Sequence, residues 1–453
     1  MLNKLRKELL FEIFDLLPIE DLLNITTVCK TFNIFVNNTK LVEKFTLHFD
    51  QNITNRDWIG SRKYTKLSIE NDSGAFGILK CIGDDIKHVE MSTKSIDVKT
   101  ISRLLSLCPN MTYLKFVDVK THSCLDLMVK SEMPRHKNLE VWIENTTPNI
   151  LEIFKFVQIR KLTLLAPTSM SDFGVCWNVD DCRMIFNNFM KSQKELTVLD
   201  MRNFKSNASI FSDKNLNFVS FKLKELKLQN FAVNNVNFYQ FLNNHLDTLE
   251  LASIDTKCAT DDLMMFLSNC ENLHTLNFTG NLKIHKKVFK SVQKLTAEFN
   301  FTPLNWTEMF PNLTDLKISS GCENAFTNFE KLTKLERLEI HSSHFFDNHF
   351  LNIPNVKKLI FRDISYQWPS FFKEYPEKLE EFHIQSMNVQ FLIEFLAFNR
   401  LNLQLLVIKN PFRFSFYKSC LHFDPQRIKS LKIYEFETSN VKYADEEFDD
   451  EYF

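Results

Sequence analysis

A six-residue block with apolar side chains at its first, fourth and sixth positions recurs along most of the chain, and this repeat constrains the fold more than any other feature. The fourth positions fall at residues 67, 89, 114, 142, 162, 199, 226, 249, 276, 295, 316, 338, 359, 382, 406 and 431, mostly 19 to 28 residues apart. Clear copies are Leu196-Leu199-Met201, Leu223-Leu226-Leu228, Leu246-Leu249-Leu251 and Leu335-Leu338-Ile340. A copy built on Leu139 and Trp142 is irregular, because Glu144 stands where an apolar residue is expected. This recurrence at similar spacing predicts a repeat array rather than a series of separate globular domains.

Each block fits a short β-strand followed by a connection to the next block. Side chains alternate along a strand, so Leu226 and Leu228 are predicted to point into a core while Lys227 points outward. One repeat cannot bury its apolar side alone, but stacked neighbours share a continuous core. Apolar residues at helical spacing lie between the blocks, for example in 101–108, 238–245, 261–270 and 391–399. The sequence therefore predicts an α/β fold of parallel strands and short helices.

This pattern resembles that of leucine-rich-repeat proteins. The resemblance implies a solenoid of about 16 repeats over residues 64–436, with parallel strands on its concave side. The family often places asparagine three residues after the last apolar strand position, whereas this chain has aromatic residues such as Phe204 and Phe231 there. A largely aromatic and aliphatic spine would replace the asparagine ladder, which fits the 45 phenylalanines of the sequence. The longest interval, between the blocks at 162 and 199, contains Cys176 and Cys182 and is interpreted as an extruded loop.

Residues 1–45 do not follow the repeat and are predicted to form three helices. Leu5, Leu9, Leu10, Ile13, Phe14 and Leu17 share one face of the first helix. Pro18 interrupts it, and acidic residues begin a second helix that carries Leu22, Leu23 and Val28. Cys29 and Phe32 follow on a third helix. A dozen large apolar side chains are more than so small a unit can cover, so the segment is suited to binding a partner.

The string Leu9-Leu10-Phe11-Glu12-Ile13-Phe14-Asp15-Leu16-Leu17-Pro18, followed by Asp21-Leu22-Leu23 and Val28-Cys29-Lys30-Thr31-Phe32, resembles the F-box motif. The leading leucine and proline of that motif are Leu5 and Arg6 here. The resemblance implies binding to a Skp-type adaptor, which attaches to a cullin that carries the ubiquitin-conjugating machinery. The expected adaptor contacts lie among Leu5, Leu9, Leu10, Ile13, Phe14, Leu17, Pro18, Leu22, Leu23, Val28, Cys29 and Phe32. The alternative is that these helices only cap the first repeat.

Composition argues against several other classes of function. Lysine plus arginine (55) balance aspartate plus glutamate (56), so no overall field favours nucleic acid or an anionic membrane. Seven glycines, without the clustering that phosphate-binding loops need, disfavour nucleotide-binding folds. No CxxC pair occurs among the ten cysteines, and no apolar run is long enough to span a membrane. We therefore expect a non-catalytic protein with no cofactor and no bound metal.

Two further expectations concern metal binding and location. His341, His344 and His349 lie close in sequence, but without cysteine or carboxylate partners they are interpreted as a surface cluster. Glu12 and Asp15 interrupt what would be the apolar core of a signal peptide. The expected location is intracellular, in the cytoplasm, the nucleus or both.

The outward strand positions of the C-terminal half are the predicted target-binding face. They include Lys317, Arg337, His341, Lys358, Arg362, His383, Lys409, Lys432 and Tyr434. Lysines and arginines outnumber acids at these positions, which suits an acidic or phosphorylated partner, while a mixed solvated face is the alternative. Residues 46–63 are predicted to form a connecting or cap segment. Residues 437–453, with six acids between Asp445 and Glu451, are predicted to form a disordered tail.

Three hypotheses follow from these observations. The first is a substrate-recognition subunit of a cullin-type (SCF) ubiquitin ligase, monomeric outside the complex, in which the helical segment binds the adaptor and the repeats bind a target protein. The second is a repeat scaffold whose helices only cap the array. The third is an enzyme regulator that acts through an arginine on the rim of the repeats.

Overall fold

The computed structural model describes residues 5–38, 40–49, 64–70, 75–93, 95–121, 135–136, 138–166, 180–204, 208–211, 216, 219–231, 236–255, 258, 260–279, 287–299, 306–320, 331–341, 353–362, 378–385, 403–410 and 431–435. Contacts within the chain divide it into two compact units, Met1–Leu273 and His274–Phe453.

The first unit begins with the helical segment that the sequence predicts. Its helices are α1 (Lys7–Asp15), α2 (Ile19–Val28) and α3 (Lys30–Asn38), and a 3-10 turn at Lys40–Lys44 follows. Pro18 occupies the N-cap of α2 with φ −64°, a value that the proline ring favours, and so ends α1 and begins α2.

Eleven strands lie in the described part of the first unit. They are β1 (Thr46–Phe49), β2 (Lys66–Ile69), β3 (His88–Met91), β4 (Ser95–Ile96), β5 (Tyr113–Val117), β6 (Lys120–Thr121), β7 (Glu140–Glu144), β8 (Lys161–Leu165), β9 (Val198–Arg202), β10 (Glu225–Gln229) and β11 (Leu251–Asp255). All except β4 and β6 form one parallel sheet in chain order, and β4 and β6 pair in parallel with each other. Strand β1 lies within the predicted connecting or cap segment and extends the sheet by one strand beyond the repeat.

Helices and 3-10 turns connect the strands of the first unit. The helices are α4 (Ala75–Ile82), α5 (Val98–Leu107), α6 (Asp180–Ser192), α7 (Val236–Asn243) and α8 (Asp261–Ser268), and the 3-10 turns are Gly83–Asp85, Pro148–Phe156 and Ala208–Phe211. Asp97 caps α5 by accepting the Thr100 N–H at 2.6 Å, and Thr260 caps α8 by accepting the Leu263 N–H at 3.3 Å. The predicted helical stretches at 101–108, 238–245 and 261–270 are confirmed, and 391–399 lies outside the described residues.

The second unit repeats the same architecture. Its elements are β12 (Thr275–Thr279), β13 (Lys294–Phe299), α9 (Trp306–Met309), β14 (Asp315–Ser320), β15 (Arg337–His341), β16 (Lys358–Arg362), β17 (Glu381–Gln385), β18 (Leu405–Asn410) and β19 (Leu431–Glu435). Each strand pairs in parallel with the next one along the chain. Parallel strands separated by one repeat, with short helices or turns between them, are the leucine-rich-repeat architecture, so the predicted α/β solenoid fold is confirmed.

Strand register places the repeated apolar residues directly above one another. Leu316 pairs with Leu295 on one side and with Leu338 on the other. The fourth-position leucines Leu226, Leu276, Leu316, Leu338 and Leu359 have no exposed surface and lie within strands. This stacking gives each repeat the apolar cover that it cannot supply for itself.

Two repeats have a different register from the predicted one. Leu226 pairs with Ala252, so Ala252 and Ile254 fill the inward positions of β11, while Leu249 is buried just before the strand. The template Leu246-Leu249-Leu251 is therefore wrong by three residues, because Leu249 stands at the first position of the block and Ala252 and Ile254 at the fourth and sixth. Ala252 is a weak hydrophobic signal in the sequence, so the template did not select it. Leu251 lies on the outward side of the strand and is only half-buried.

The irregular repeat is shifted by one residue. Val141 and Ile143 face inward on β7, since they pair with Leu114 and Phe116 of β5. Trp142, which the sequence template placed in the core, therefore lies on the outward side together with Glu144.

The long interval between β8 and β9 is not only an extruded loop. Its second half forms α6, in which Phe186, Phe189 and Met190 are fully buried. The three side chains recur at three- and four-residue spacing, which puts them on one helical face. Cys176 lies outside the described residues, and Cys182 lies within α6.

Several strands of the first unit end at an asparagine or aspartate whose backbone has a positive φ, the conformation that glycine adopts most easily. Asp118, Asn145, Asn203 and Asn230 adopt φ between 49° and 66°, two residues after the last inward strand position. These two residue types tolerate the left-handed region better than other side chains. Asn230 also donates its side-chain amide to the Asn203 side chain at 3.3 Å, so a short asparagine ladder exists one residue earlier than the family position.

The phenylalanine excess forms an aromatic core in the first unit. Phe204 and Phe231 are buried with ring centroids 6.1 Å apart, which confirms the predicted spine at these positions. Phe211 contacts the rings of Phe238 at 4.8 Å and Phe241 at 5.2 Å. Edge-to-face and tilted contacts of this kind add to the stabilisation from area burial.

We predict that Leu316→Ala destabilises the second unit by about 2–5 kcal/mol, because it leaves a cavity between Leu295 and Leu338. Hydrogen exchange should show the loss of protection spreading to β13 and β15, which share the interface. Lys294→Ala, an outward change on β13, should cost less than about 0.5 kcal/mol. Equal losses for the two variants in urea unfolding would contradict the stacked-core description.

His245 makes the stability of the first unit depend on pH. The side chain is fully buried between Phe221 and Phe241, and its Nδ1 accepts the Leu223 N–H at 3.3 Å. Burial lowers the pKa of His245 from 6.5 to about 3; Lys222 lowers it further, and Asp247 opposes the shift. The folded protein therefore keeps the ring neutral, whereas the unfolded chain takes up a proton below pH 6.5.

We predict that stability falls as pH drops below about 6.5, at a slope approaching about 1.4 kcal/mol per pH unit from this group alone. His245→Phe should be less stable at pH 7, since the Leu223 N–H loses its acceptor, but should lose less stability between pH 7 and pH 5. Other groups titrate in both proteins and cancel in the comparison. Parallel urea-unfolding profiles against pH would refute the assignment.

Candidate functional site

An apolar stripe on α1 is the first candidate site. Leu9, Ile13 and Leu16 follow each other at four- and three-residue spacing and are exposed by 47%, 39% and 86%. Leu5, just before the helix, continues the stripe and is also exposed. Large apolar side chains grouped in this way on a surface mark an interaction site.

The neighbouring face of α1, about 100° further round the helix, packs into the core of the helical segment. Phe14 is buried and contacts the Phe32 ring at 5.4 Å and the Phe35 ring at 5.8 Å, both edge-to-face. Lys44, at the end of the 3-10 turn, forms an ion pair of 3.0 Å with Asp15 at the end of α1. The turn leads directly into β1, so the segment is connected to the first strand of the sheet.

The structure separates the predicted adaptor contacts into two sets. Leu5, Leu9, Ile13, Pro18, Val28 and Cys29 are exposed, Leu17 is half-buried, and the side chain of Leu23 lies outside what is described. The buried members are Leu10, Phe14, Leu22 and Phe32. These four fill the core of the segment itself, so their side chains are not accessible to a partner in this conformation, and adaptor contact by the exposed members stays a prediction.

Sequence reasoning missed three exposed apolar residues of the segment. Leu16, Ile19 and Ile34 are exposed by 86%, 46% and 53%. Leu16 could have been found, since it continues the Leu9 and Ile13 spacing by three residues. Ile19 and Ile34 carry no periodic signal that separates them from core residues.

Arg6 occupies the position where the F-box motif has proline. It is the N-cap of α1 with φ −62° and ψ 148°, close to the φ −64° and ψ 159° of Pro18 at the N-cap of α2. Its carbonyl accepts the Leu10 N–H at 3.1 Å. The backbone at Arg6 therefore has the conformation that a proline ring favours.

The second candidate site is the outward face of the sheet in the second unit. Glu339, on β15, is only 3% exposed although it lies at an outward position. Around its carboxylate lie His341 Nε2 at 2.8 Å, Arg337 Nη2 at 3.0 Å, Arg362 Nε at 3.1 Å and Lys317 Nζ at 3.6 Å. The hydrogen bond with His341 and the charges of Arg362 and Lys317 lower the pKa of Glu339 to about 2, against the opposing effect of burial.

The structure thus brings four of the predicted target-binding residues together around one carboxylate. We refer to Lys317, Arg337, Glu339, His341 and Arg362 as the Glu339 cluster. Arg337 also pairs with Asp315 at 3.2 Å.

A smaller group of charged side chains lies on β16 and β17. Lys358 binds Glu381, and His383 Nε2 lies 3.3 Å from the same carboxylate. Register places Lys409 on β18 and Lys432 and Tyr434 on β19. The side chains of these three residues lie outside what is described, so their role stays a prediction.

An aromatic patch on the outward face of the first unit was not predicted. Lys115 Nζ lies 5.8 Å and Arg202 Cζ 5.5 Å from the centroid of the Trp142 ring. Arg202 forms two hydrogen bonds to Asp200, at 2.9 and 2.7 Å, and the Trp142 indole donates to Glu144 at 3.1 Å. The template had assigned Trp142 to the core, which hid this patch.

The described residues give no support for a reactive cysteine, a metal site or a membrane-spanning helix. Burial raises the pKa values of Cys108 and Cys270 to about 12, so both thiols stay protonated. Within the described ranges, no group of three or more His, Cys, Asp or Glu side chains could hold a metal ion. His344 and His349 lie outside those ranges. None of the helices described is long and apolar enough to cross a membrane.

Comparisons with known proteins give one family match and similarities to solved structures. Residues 5–48 match the family model described as F-box-like. The TLR13 chain of a complex with ssRNA13 is 12% identical, with a TM-score of 0.39; the match covers 81% of this chain and 62% of that one, which is less than two thirds of its length. A leucine-rich-repeat protein of Leptospira interrogans is 11% identical with a TM-score of 0.30, over 86% of this chain and 89% of the other. No curated protein matches the sequence.

We predict that Arg6→Pro is tolerated and raises the free energy of unfolding by up to about 1 kcal/mol, because it restricts the unfolded chain without changing the N-cap backbone. Thermal unfolding of the full chain measures this. Lys7→Pro is the control, because Lys7 is the first residue of α1 and proline is tolerated at the first helical position. A clear loss of stability on Arg6→Pro would show that the N-cap conformation is wrong.

Proposed function

We propose that this chain, which joins an F-box-like segment at residues 5–48 to leucine-rich repeats, is a substrate-recognition subunit of a cullin-type ubiquitin ligase. The helical segment binds a Skp-type adaptor, and the repeats bind the target protein. The observation that carries the proposal is the exposed stripe of Leu9, Ile13 and Leu16 on a segment that matches the F-box-like family.

The structure of the segment supports adaptor binding over capping alone. A capping unit needs apolar residues on the side that faces the array, and Phe45, directly before β1, is buried and can meet that need. Capping gives no reason for a second, exposed apolar stripe along α1. Partner binding does, since apolar anchors that lose contact with water supply much of the affinity of an interface.

In this function the protein performs no bond chemistry. A receptor subunit holds its target near the ubiquitin-conjugating machinery and so replaces an encounter between free proteins by a reaction within one complex. Such a role needs two binding surfaces and no catalytic group. The Glu339 cluster and the Trp142 patch are the surfaces that we propose for target contact, because arginine and tryptophan are over-represented where binding energy concentrates.

We predict that Leu9→Asp and Leu16→Asp each weaken binding of the full chain to a Skp-type adaptor by at least about tenfold, because either change puts an unpaired charge into an apolar interface. Isothermal calorimetry or surface plasmon resonance with purified adaptor measures the change. Thermal unfolding should be almost unaffected, since both side chains are exposed.

Met265→Asp is a matched control, because Met265 on α8 is exposed by 52% and lies outside the helical segment. It should leave adaptor binding unchanged. Leu10→Asp is the opposite control: with Leu10 only 6% exposed, it should disrupt the segment and lower its stability. If wild-type protein and Arg6→Pro both fail to bind the adaptor at micromolar concentration, the receptor proposal is wrong and the capping scaffold is favoured.

A further inference from the structure

The Glu339 cluster holds more cationic donors than its own carboxylates use. Within the described residues, Arg337 uses two of its five N–H groups, on Glu339 and Asp315, and Arg362 contacts Glu339 through one nitrogen. The side chains of Lys317, Arg337 and Arg362 are 36%, 41% and 37% exposed. Three fixed positive charges therefore face two carboxylates, and part of each cation remains open to solvent.

The outward face around the cluster is basic as well. Over β13 to β17, the described outward side chains include five lysines and arginines and three acids. The bases are Lys294, Lys317, Arg337, Lys358 and Arg362, and the acids are Asp315, Glu339 and Glu381. A face with this excess attracts a carboxylate-rich segment.

The sequence contains such a segment shortly after the last strand that the structure describes. Residues 445–451 include six acids, Asp445, Glu446, Glu447, Asp449, Asp450 and Glu451, and no lysine or arginine. They follow β19, which is the last strand of the sheet that carries the cluster.

The connection is long enough for the segment to reach the cluster. Nine residues, 436–444, lie between the end of β19 and Asp445, and the ten residue steps span up to roughly 33 Å when extended. Arg362 lies on β16, three strands from β19, and Lys317 lies on β14, five strands away. At about 4.8 Å per strand these separations are roughly 14 and 24 Å.

We propose that the acidic segment 445–451 binds the Glu339 cluster of the same chain and covers this part of the outward face. Carboxylates of the segment accept hydrogen bonds from the exposed guanidinium groups of Arg337 and Arg362 and pair with Lys317. Tethering raises the local concentration of the segment to about the millimolar range, so even weak contacts keep the face occupied. A target that uses this face must then displace the segment, which makes the segment a regulator of access.

The test uses full-length protein and a labelled synthetic peptide of residues 441–453. In one variant the six acids of 445–451 are changed to the corresponding amides, which removes the competing charge without altering any described residue. Fluorescence anisotropy should show the peptide binding this variant about tenfold more tightly than wild type, where the attached segment competes. Binding should weaken strongly as salt is raised from about 0.05 to 0.5 M.

Two further variants, made in the amide background, locate the binding site. Lys317→Gln with Arg362→Gln should weaken peptide binding at least about tenfold. Lys227→Gln is the matched control: Lys227 occupies the same strand position in β10, pairs with Glu225 at 3.2 Å and is similarly exposed, but lies in the first unit. It should leave binding unchanged. Lys317→Gln alone keeps both arginines on Glu339 and should give an intermediate loss if the double variant proves unstable on heating.

Three results would overturn the proposal. The first is absence of peptide binding to the amide variant. The second is equal binding to the amide variant and wild type, which would show that the attached segment does not occupy the face. The third is binding that survives removal of Lys317 and Arg362 charges in a folded protein, which would put the site elsewhere. None of these results bears on adaptor binding, which is measured separately.

Discussion

Side-by-side parallel pairing between repeats is the interaction on which the rest of the structure depends. A single strand and its connection leave part of the apolar surface at the fourth and sixth positions uncovered, and the equivalent residues of neighbouring strands cover it. Leu316 is an example, since it stacks between Leu295 and Leu338 and has no exposed surface. The connections are free to vary as long as each returns to this register, which explains why helices, 3-10 turns and the long interval containing α6 alternate with such regular strands.

The same constraint decides where binding surfaces can lie. Inward positions are committed to the core, so recognition is left to outward strand positions and to elements added at an end of the array. The helical segment is such an addition. One side of α1 fills the core around Phe14, and the ion pair of Lys44 with Asp15 joins the end of the helix to the turn that leads into β1. The stripe through Leu9 is exposed among the described residues.

The repeat period and the type of fold could be predicted from the sequence. Which face of a helix is buried, and which of two strand registers is used, could not. Leu9-Ile13-Leu16 and Leu10-Phe14-Leu17 are both apolar stripes at four- and three-residue spacing along α1 and the two residues that follow it. Only the contacts of Phe14 with Phe32 and Phe35 decide which stripe is buried. Register at β11 was ambiguous for a similar reason, since Ala252 gives a weaker signal than the leucines on either side of it. Trp142 was assigned to the wrong side because a shift of one residue exchanges the two faces of a strand.

The candidate target face shows a further limit, because charge at outward positions was visible in the sequence but its organisation was not. Strand register brings Lys317, Arg337 and Arg362 from three neighbouring strands onto one glutamate. With its pKa lowered to about 2, Glu339 stays ionised throughout the neutral and mildly acidic range, so it holds these cations in fixed positions. Long basic side chains that are already ordered lose less conformational entropy when they bind an anion than mobile ones do. The buried carboxylate therefore reduces the net charge of the face and at the same time prepares its cations for binding.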